Sequence, residues 1–159
     1  MKYQRFEDLP VWKDAIELAV RTFGLTAHQC FRGHARLREQ LEAAALSISN
    51  NIAEGFERGT TQETLTFIYI ARGSSGETRS MYEFLERAPG FEVLRPRLPD
   101  LIQRAESISR QLRAWADSLQ NTDIRGARYL TDKSRRLEQQ RRDREEFLAE
   151  LEQIRNRRT

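Results

Sequence analysis

The sequence predicts an all-α fold, an antiparallel up-down-up-down four-helix bundle followed by an additional charged C-terminal helix. Apolar residues recur at intervals of three and four along four successive segments, as on the buried face of a bundle helix. Short connections separate these segments, and short connections favour antiparallel neighbours. Only four prolines and eight glycines interrupt 159 residues, of which 32% are charged, a composition typical of a helical protein.

The first helix is predicted from about Leu9 to about His28. Asp8 is the candidate N-cap residue, and Pro10 falls in the first turn, where proline is tolerated. Its predicted apolar face comprises Leu9, Trp12, Ile16, Ala19 or Val20, and Phe23.

The second helix is predicted from about Ala35 to Glu54, with Gly55 ending it. Its predicted inward residues are Leu37, Leu41, Ala44, Ile48 and Ile52. Polar residues crowd the same helix beside this apolar stripe: Ser47, Ser49, Asn50, Asn51 and Glu54. Because Ser and Asn weaken a helix interior, their presence here predicts a specified helix–helix contact.

The third helix is predicted to begin at a capping box formed by Thr60 and Glu63 and to run to about Arg87. Its predicted apolar residues are Leu65, Ile68, Tyr69, Tyr82 and Leu85. The small residues 73–76, Gly-Ser-Ser-Gly, are expected to let another helix approach closely. The segment 88–90, Ala-Pro-Gly, is predicted to end the helix.

The fourth helix is predicted to open at Pro99 and Asp100. Its apolar residues follow a heptad-like spacing and are Leu101, Ala105, Ile108, Leu112, Trp115 and Leu119. The bundle is therefore assigned to residues 1–120, a linker to 121–131, and a charged, arginine-rich helix to 132–159. That last segment has a thin apolar stripe, so we consider a solvated single helix, a coiled-coil arm, or a helix that docks on a partner.

The net charge of +3 is unevenly distributed. Residues 1–120 carry 16 Lys+Arg and 16 Asp+Glu, whereas residues 121–159 carry 11 and 8. The candidate nucleic-acid-binding residues all lie in this last segment: Arg125, Arg128, Lys133, Arg135, Arg136, Arg141, Arg142 and Arg144. Such a cluster favours salt-dependent, largely sequence-independent binding of phosphates, and a solvated charged helix is the alternative interpretation.

Polar residues on the second and third helices form a further candidate site, namely Asn51, Glu54, Ser74 and Glu77. Two carboxylates suggest a metal or small-molecule pocket, but no histidine accompanies them, and we interpret the four as structural interhelical or subunit contacts. His28, Cys30 and His34 make an incomplete zinc site. No catalytic residue, metal or cofactor is therefore predicted, and no nucleotide-binding or hydrolase motif is present.

Three motifs in order carry a family resemblance. They are Phe6-x-Asp8-Leu9-x-Val11-Trp12, then Ser47-Ile48-x-x-Asn51-Ile52-Ala53-Glu54-Gly55, then Gly73-Ser74-x-x-Glu77. Over about residues 5–120 the chain resembles the 23S rRNA intervening-sequence protein family, also called the four-helix bundle protein family. The loop at Cys30 to Gly33 departs from the Phe-Pro turn frequent in the family, and the basic segment from about residue 121 extends beyond the usual family length.

The resemblance implies a four-helix bundle that commonly assembles as a ring-like homopentamer, with no enzymatic activity established for the family. Members are encoded within intervening sequences of ribosomal RNA genes or stand alone in bacterial genomes. A distantly related group, the accessory proteins of diversity-generating retroelements, binds a reverse transcriptase and its RNA through a basic surface.

These observations lead to a functional hypothesis: a non-enzymatic homo-oligomer, expected to be a pentamer, that binds RNA or a nucleoprotein partner such as a reverse transcriptase electrostatically, as an accessory factor. The alternative is an interaction scaffold whose C-terminal helix docks on a partner or neighbouring subunit without binding nucleic acid. No signal peptide or membrane span is evident, so a cytoplasmic location is expected, with no membrane partner.

Overall fold

The computed structural model describes residues 3–121, which form four long helices. Helix α1 spans Pro10–Thr26, α2 spans Ala35–Glu57, α3 spans Thr61–Arg87 and α4 spans Leu98–Gln120. Short 3-10 turns lie in the connections at Phe6–Asp8, Gln29–Phe31 and Glu92–Leu94. The predicted all-α four-helix architecture is confirmed for this part of the chain. The predicted helix at 132–159, and all of the linker except Asn121, lie outside the described residues.

Each long helix contacts the next one in sequence, and α4 returns to contact α1. Side-chain hydrogen bonds give the relative directions of the helices. Between α2 and α3 the bonded pairs are Gln40–Glu77 and Ser47–Ser74, so residue numbers rise along α2 as they fall along α3. Between α1 and α4 the pairs are Asp14–Gln111 and Arg21–Asp100, which show the same opposite order. These two pairs of helices therefore lie antiparallel.

The faces predicted for α2 and α4 contribute to the core. From these two helices, the fully or nearly fully buried predicted residues are Leu41, Ala44, Ile48, Ile52, Leu101, Ala105, Ile108 and Leu112. Leu37, Trp115 and Leu119 are partly buried and pack against this core. The heptad-like spacing of α4 is thus confirmed as the seam that faces the other helices. Within the described residues, no helix is long and apolar enough to cross a membrane.

The apolar face predicted for α1 is wrong at Phe23 and at Val20, whereas Ala19, the alternative to Val20, is buried as predicted. Val20 is 63% exposed and Phe23 is 44% exposed, whereas the buried residues are Val11, Ala15, Leu18, Ala19, Thr22, Leu25 and Thr26. Two apolar stripes lie side by side on this helix, and the face predicted from the sequence follows mainly the more exposed one. The reason is that the buried face includes two threonines and two alanines, which contribute little to a hydrophobic pattern.

The start of α1 also differs from the prediction. Asp8 lies in the preceding 3-10 turn, and the N-cap position is taken by Leu9, which makes no side-chain capping bond. Leu9 is buried instead, and the ring of Phe6 packs edge-on against Trp12 with their centroids 5.2 Å apart. Apolar contacts rather than a polar cap therefore fix the entry into this helix.

Gly55 does not end α2, which continues to Glu57. The glycine is buried where α2 and α3 cross closely, and a Cβ atom added there would lie 2.7 Å from Cβ of Phe67. The hydroxyl of Thr64 donates a 2.8 Å hydrogen bond to the carbonyl of Gly55. The position is therefore a close-approach site within the helix, and not a terminator.

The close approach predicted for residues 73–76 is made by the serines and not by the glycines. Added Cβ atoms at Gly73 and Gly76 would meet nothing within 4 Å. Ser75 is buried and donates a 2.7 Å hydrogen bond to the carbonyl of Ala105 in α4. Tyr69, predicted for the apolar face, is 45% exposed, and its hydroxyl accepts a hydrogen bond from Gln120.

The predicted ends of α3 are confirmed. Thr60 is the N-cap residue, and its hydroxyl accepts from the backbone N–H of Glu63 at 3.2 Å while donating to the Glu63 carboxylate at 2.7 Å. The helix ends at Arg87, and Gly90 adopts a φ of 89°, a left-handed conformation that favours glycine. These signals are local in sequence, which is why they could be recognised without the fold.

A buried hydrogen bond joins α1 to α3. The hydroxyl of Thr22 donates to the carbonyl of Leu18 at 2.7 Å, and it therefore accepts from the hydroxyl of Tyr82 at 2.5 Å. Both side chains are fully buried, and burial raises the pKa of Tyr82 to about 12. The folded protein consequently favours the neutral phenol.

This buried phenol predicts a loss of stability at alkaline pH. Between pH 10 and 12 an unfolded tyrosine loses its proton while the folded one keeps it, so the stabilisation is complete below pH 10 and disappears as pH rises through 12. The expected loss is roughly 2 kcal/mol. Urea unfolding of the wild-type chain and Tyr82→Phe across this range measures it. Parallel pH profiles of the two proteins would contradict the prediction.

Candidate functional site

A chain of hydrogen bonds joins α2 to α3 at the centre of the predicted polar site. Asn51 donates from Nδ2 to the hydroxyl of Ser47 at 2.9 Å and to its carbonyl at 2.7 Å. The hydroxyls of Ser47 and Ser74 are 3.0 Å apart, and Ser74 donates to the carbonyl of Ile70 at 3.2 Å. The bonds therefore run in one direction, from Asn51 through Ser47 and Ser74 to Ile70. We call Ser47, Asn51 and Ser74 the polar seam.

The two carboxylates of the predicted site are not members of this seam. Glu77 accepts a 3.2 Å hydrogen bond from Gln40, closer to the N-terminal end of α2. Glu54 forms an ion pair with Arg58, whose guanidinium also lies 3.8 Å from Glu63. The structure thus brings Asn51 and Ser74 into one hydrogen-bond chain, whereas Glu77 makes a separate interhelical hydrogen bond to α2 and Glu54 pairs with Arg58 at the end of its own helix.

Arg58, at the connection between α2 and α3, contacts both charged and aromatic side chains. Its guanidinium carbon lies 5.0 Å from the centre of the Phe67 ring, a cation–π distance. The hydrogen bond to Glu54 raises the pKa of the Arg58 guanidinium. These contacts hold an exposed arginine against its own helix pair, so its charge is compensated locally.

The loop between α1 and α2 holds His28, Cys30 and His34, and each has an ordinary structural contact. Nδ1 of His28 accepts from the backbone N–H of Cys30 at 3.2 Å and caps the 3-10 turn. The ring of His34 packs on Phe91 with centroids 5.3 Å apart. Burial raises the pKa of the Cys30 thiol, which disfavours the nucleophilic thiolate.

The chemistry available to the polar seam is that of neutral hydrogen bonds. All three of its side chains are half-buried, and none of them ionises near neutral pH. Within residues 3–121 no group of three or more His, Cys, Asp and Glu side chains is placed to hold a metal ion. Within this chain the Ser47–Ser74 hydrogen bond crosses between the two helices, so sliding one helix along the other would break it, and the bond favours one relative register.

The structure also places polar contacts in the core that the sequence analysis missed. Besides the Thr22–Tyr82 pair, Thr26 donates to Glu42 across α1 and α2, and Ser75 and Thr64 bond to carbonyls of neighbouring helices. All four of these Ser and Thr residues are buried in the core. A Ser or Thr that falls on the buried face of a helix is the sequence signal that could have indicated these contacts.

The comparisons with known proteins agree with this architecture. The model of the 23S rRNA-intervening sequence protein family matches residues 7–114. The chain belongs to this family. The matched range runs from the first 3-10 turn into the last two turns of α4, so it covers nearly all of the described bundle. Searches of curated proteins and of solved structures return no match.

As a 23S rRNA-intervening sequence protein, the chain carries its basic segment beyond the matched range. The eight predicted nucleic-acid-binding residues, from Arg125 to Arg144, lie outside both residues 7–114 and the described residues. Two of the three motifs that carried the resemblance meet at the polar seam, because Ser47 and Asn51 come from one motif and Ser74 comes from another. The third motif supplies the Phe6–Trp12 ring contact.

Proposed function

We propose that this 23S rRNA-intervening sequence protein is a non-enzymatic homo-oligomeric bundle that binds RNA, or a nucleoprotein partner such as a reverse transcriptase, as an accessory factor. The carrying observation is the excess of basic residues after the bundle. Residues 1–120 are balanced at 16 basic and 16 acidic residues, whereas residues 121–159 have 11 and 8. All but three of the 27 basic residues are arginines, which bind phosphate in a bidentate manner.

Self-association is supported by the outer apolar stripe of α1. Ile16 and Trp12 are half-buried, while Val20 and Phe23 are exposed. At 100° per residue these four side chains lie within an arc of about 80°. A partly exposed apolar stripe of this kind is compatible with a protein–protein contact, and several copies bound to one RNA would raise its avidity without any new contact.

The test of RNA binding is a gel-shift titration of the full chain at two salt concentrations. Replacing the eight residues Arg125, Arg128, Lys133, Arg135, Arg136, Arg141, Arg142 and Arg144 by glutamine is expected to weaken binding at least tenfold and to flatten its salt dependence, because each lost phosphate contact lowers the slope by about 0.7–0.9. Four arginines of the described bundle, Arg72, Arg79, Arg110 and Arg113, replaced by glutamine serve as the control. No RNA binding at low salt, or an unchanged affinity of the eightfold variant, would refute the proposal.

The exposed stripe on α1 also favours the second candidate, an interaction scaffold whose C-terminal helix docks on a partner or neighbouring subunit. In that case the eightfold variant would differ from the wild-type chain in oligomer mass or in the capture of a protein partner. Neither the wild-type chain nor the variant would bind RNA. Native mass spectrometry of both proteins, carried out beside the gel shift, distinguishes the two functions.

A further inference from the structure

One end of the bundle is formed by the two longer connections, residues 27–34 and 88–97. Phe91 of the second connection packs edge-on against Phe31 of the first, with ring centroids 5.2 Å apart, and also contacts the ring of His34. Nη1 of Arg97 lies 3.5 Å from the carbonyl of Gly24, joining the start of α4 to the end of α1. We call this surface, with the adjoining turn of each helix, the loop end.

Charge is distributed unequally between the two ends of the bundle. Counting each connection with one adjoining helical turn, the loop end has six arginines and three acidic residues: Arg32, Arg36, Arg38, Arg87, Arg95, Arg97, Glu86, Glu92 and Asp100. The same count at the opposite end gives three basic and six acidic residues: Arg5, Lys13, Arg58, Glu7, Asp8, Glu54, Glu57, Glu63 and Asp117. The described bundle therefore has an excess of positive charge at the loop end and of negative charge at the opposite end, although its total charge is nearly balanced.

The acidic residues of the loop end are largely engaged. Asp100 pairs with Arg104 at 2.8 Å and Arg21 at 3.3 Å, both on the sides of the bundle, and the Arg104 hydrogen bond lowers the pKa of its carboxyl. The carboxylate of Glu92 accepts from the backbone N–H of Gly90 at 3.0 Å. Bonds to backbone N–H groups lower the pKa of Glu92, so it remains ionised within its own turn.

Four of the six loop-end arginines form no ion pair within 4.0 Å among the described residues. Arg95 and Arg97 are bonded to backbone carbonyls, at 3.0 Å and 3.5 Å, which orients the guanidinium groups, and Arg95 also attracts the carboxylate of Glu92 at longer range. Arg32 and Arg36 are exposed, and no side-chain bond engages either within residues 3–121. Each guanidinium has five N–H donors, so donors remain available on all four.

We propose that the loop end is a second RNA contact surface, which binds the phosphate backbone through Arg32, Arg36, Arg95 and Arg97. This inference rests on the proposed RNA-binding function and adds a site in the bundle to the basic residues beyond residue 121. With helix axes 8–10 Å apart, the end of a four-helix bundle measures roughly 20 Å across, enough for several phosphates.

An RNA backbone fits this surface better than an acidic protein does. Every Lys or Arg residue of the loop end is an arginine, and its planar fork matches phosphate oxygens. The exposed His34 ring, held against Phe91, presents a flat surface on which an unpaired base can stack. Carboxylates of a protein partner would use the charges but not the ring.

The experiment compares two full-length double variants that carry the same change in charge. Arg32→Gln with Arg36→Gln removes loop-end guanidiniums that make no bond to the described bundle, so folding is preserved. Arg72→Gln with Arg79→Gln, on the side of α3, is the matched control. The probes are a mixed-sequence single-stranded RNA of 30 nucleotides, inorganic phosphate as a competitor, and polyglutamate of equal charge. Fluorescence anisotropy at several salt concentrations gives the affinities.

The loop-end variant is expected to bind RNA about tenfold more weakly than the control variant, with a salt slope reduced by about 1.4 for two lost contacts. Equal affinities of the two variants, while the wild-type chain binds RNA, would overturn the loop-end assignment and leave the proposed function intact. Absence of RNA binding by the wild-type chain would refute the proposed function itself. Polyglutamate that competes as well as RNA would also overturn the assignment, in favour of an acidic protein partner. Complete competition by millimolar phosphate would also overturn the RNA assignment, because the loop end would then be a site for free phosphate.

Discussion

Leu18→Ala is expected to lower the free energy of unfolding by about 2–5 kcal/mol, the range for removing a buried leucine side chain from a core that relaxes only in part. Leu18 is fully buried on the inner face of α1. Urea unfolding at one fixed protein concentration measures the change, because self-association would make stability depend on concentration. The expected midpoint lies well below that of the wild-type chain.

Val20→Ala is the matched control for Leu18→Ala. Val20 lies on the same helix, two residues away and 63% exposed, so its truncation should change the unfolding free energy by no more than about 0.5 kcal/mol. Of the two alternatives predicted from the sequence, Ala19 or Val20, the one with Val20 in the core would require the opposite order. A larger loss from Val20→Ala than from Leu18→Ala, measured in dilute monomeric protein, would contradict the orientation of α1 described above.

Gly55→Val is expected to destabilise the bundle by about 3 kcal/mol, the upper end of the usual cost of overpacking. A Cβ at this position would meet Cβ of Phe67 at 2.7 Å and the carbonyl oxygen of Thr64 at 3.4 Å. Neither atom is the flexible end of a side chain, so α2 and α3 must move apart. Thermal and urea unfolding should both show the loss.

Gly73→Val provides the comparison that isolates this crowding. The same residue enters the interior of α3, where an added Cβ meets nothing within 4 Å. Valine has a slightly better helix propensity than glycine, so the variant should be unchanged or stabilised by up to about 0.5 kcal/mol. Equal destabilisation of the two variants would contradict the assignment of Gly55 to a close-packing position, because the loss could then not come from the contact with Phe67.

Much of the fold could be predicted from the sequence because the decisive signals are local. The heptad-like spacing of α4 and the Thr60 cap each depend on residues within a few turns of one another, and both predictions are confirmed. The family resemblance drew on motifs along the bundle, and the match over residues 7–114 confirms it.

The errors arose where the answer depended on a neighbouring helix. Gly55 resembles a helix terminator in sequence, and only the position of Phe67 reveals its role in close packing. On α1 the buried face includes small and hydroxylated residues such as Thr22, whose polarity is satisfied by Tyr82, a residue 60 positions away. A one-dimensional hydrophobic pattern cannot include such a partner.

The polar candidate site was predicted in part for the same reason. The spacing of Ser47 and Asn51 along one helix indicates a shared face, and their bond to each other follows from that spacing. Glu54 and Glu77 were grouped with them by position in the motifs, but their ion-pair and hydrogen-bond partners are Arg58 and Gln40. The loop end could not be recognised in the sequence, because its arginines come from two segments about 60 residues apart.

The two apolar stripes of α1 have a consequence for the uniqueness of the native state. A roll of this helix about its own axis would turn the outer apolar face, with Val20 and Phe23, toward the core and would move the buried Leu18 and Leu25 outward. The Thr22–Tyr82 and Thr26–Glu42 bonds also oppose such a roll, since a rolled helix would leave the phenol of Tyr82 without its acceptor in the core. These two threonines contribute less apolar burial than larger aliphatic residues would, but their hydrogen bonds favour one orientation of α1.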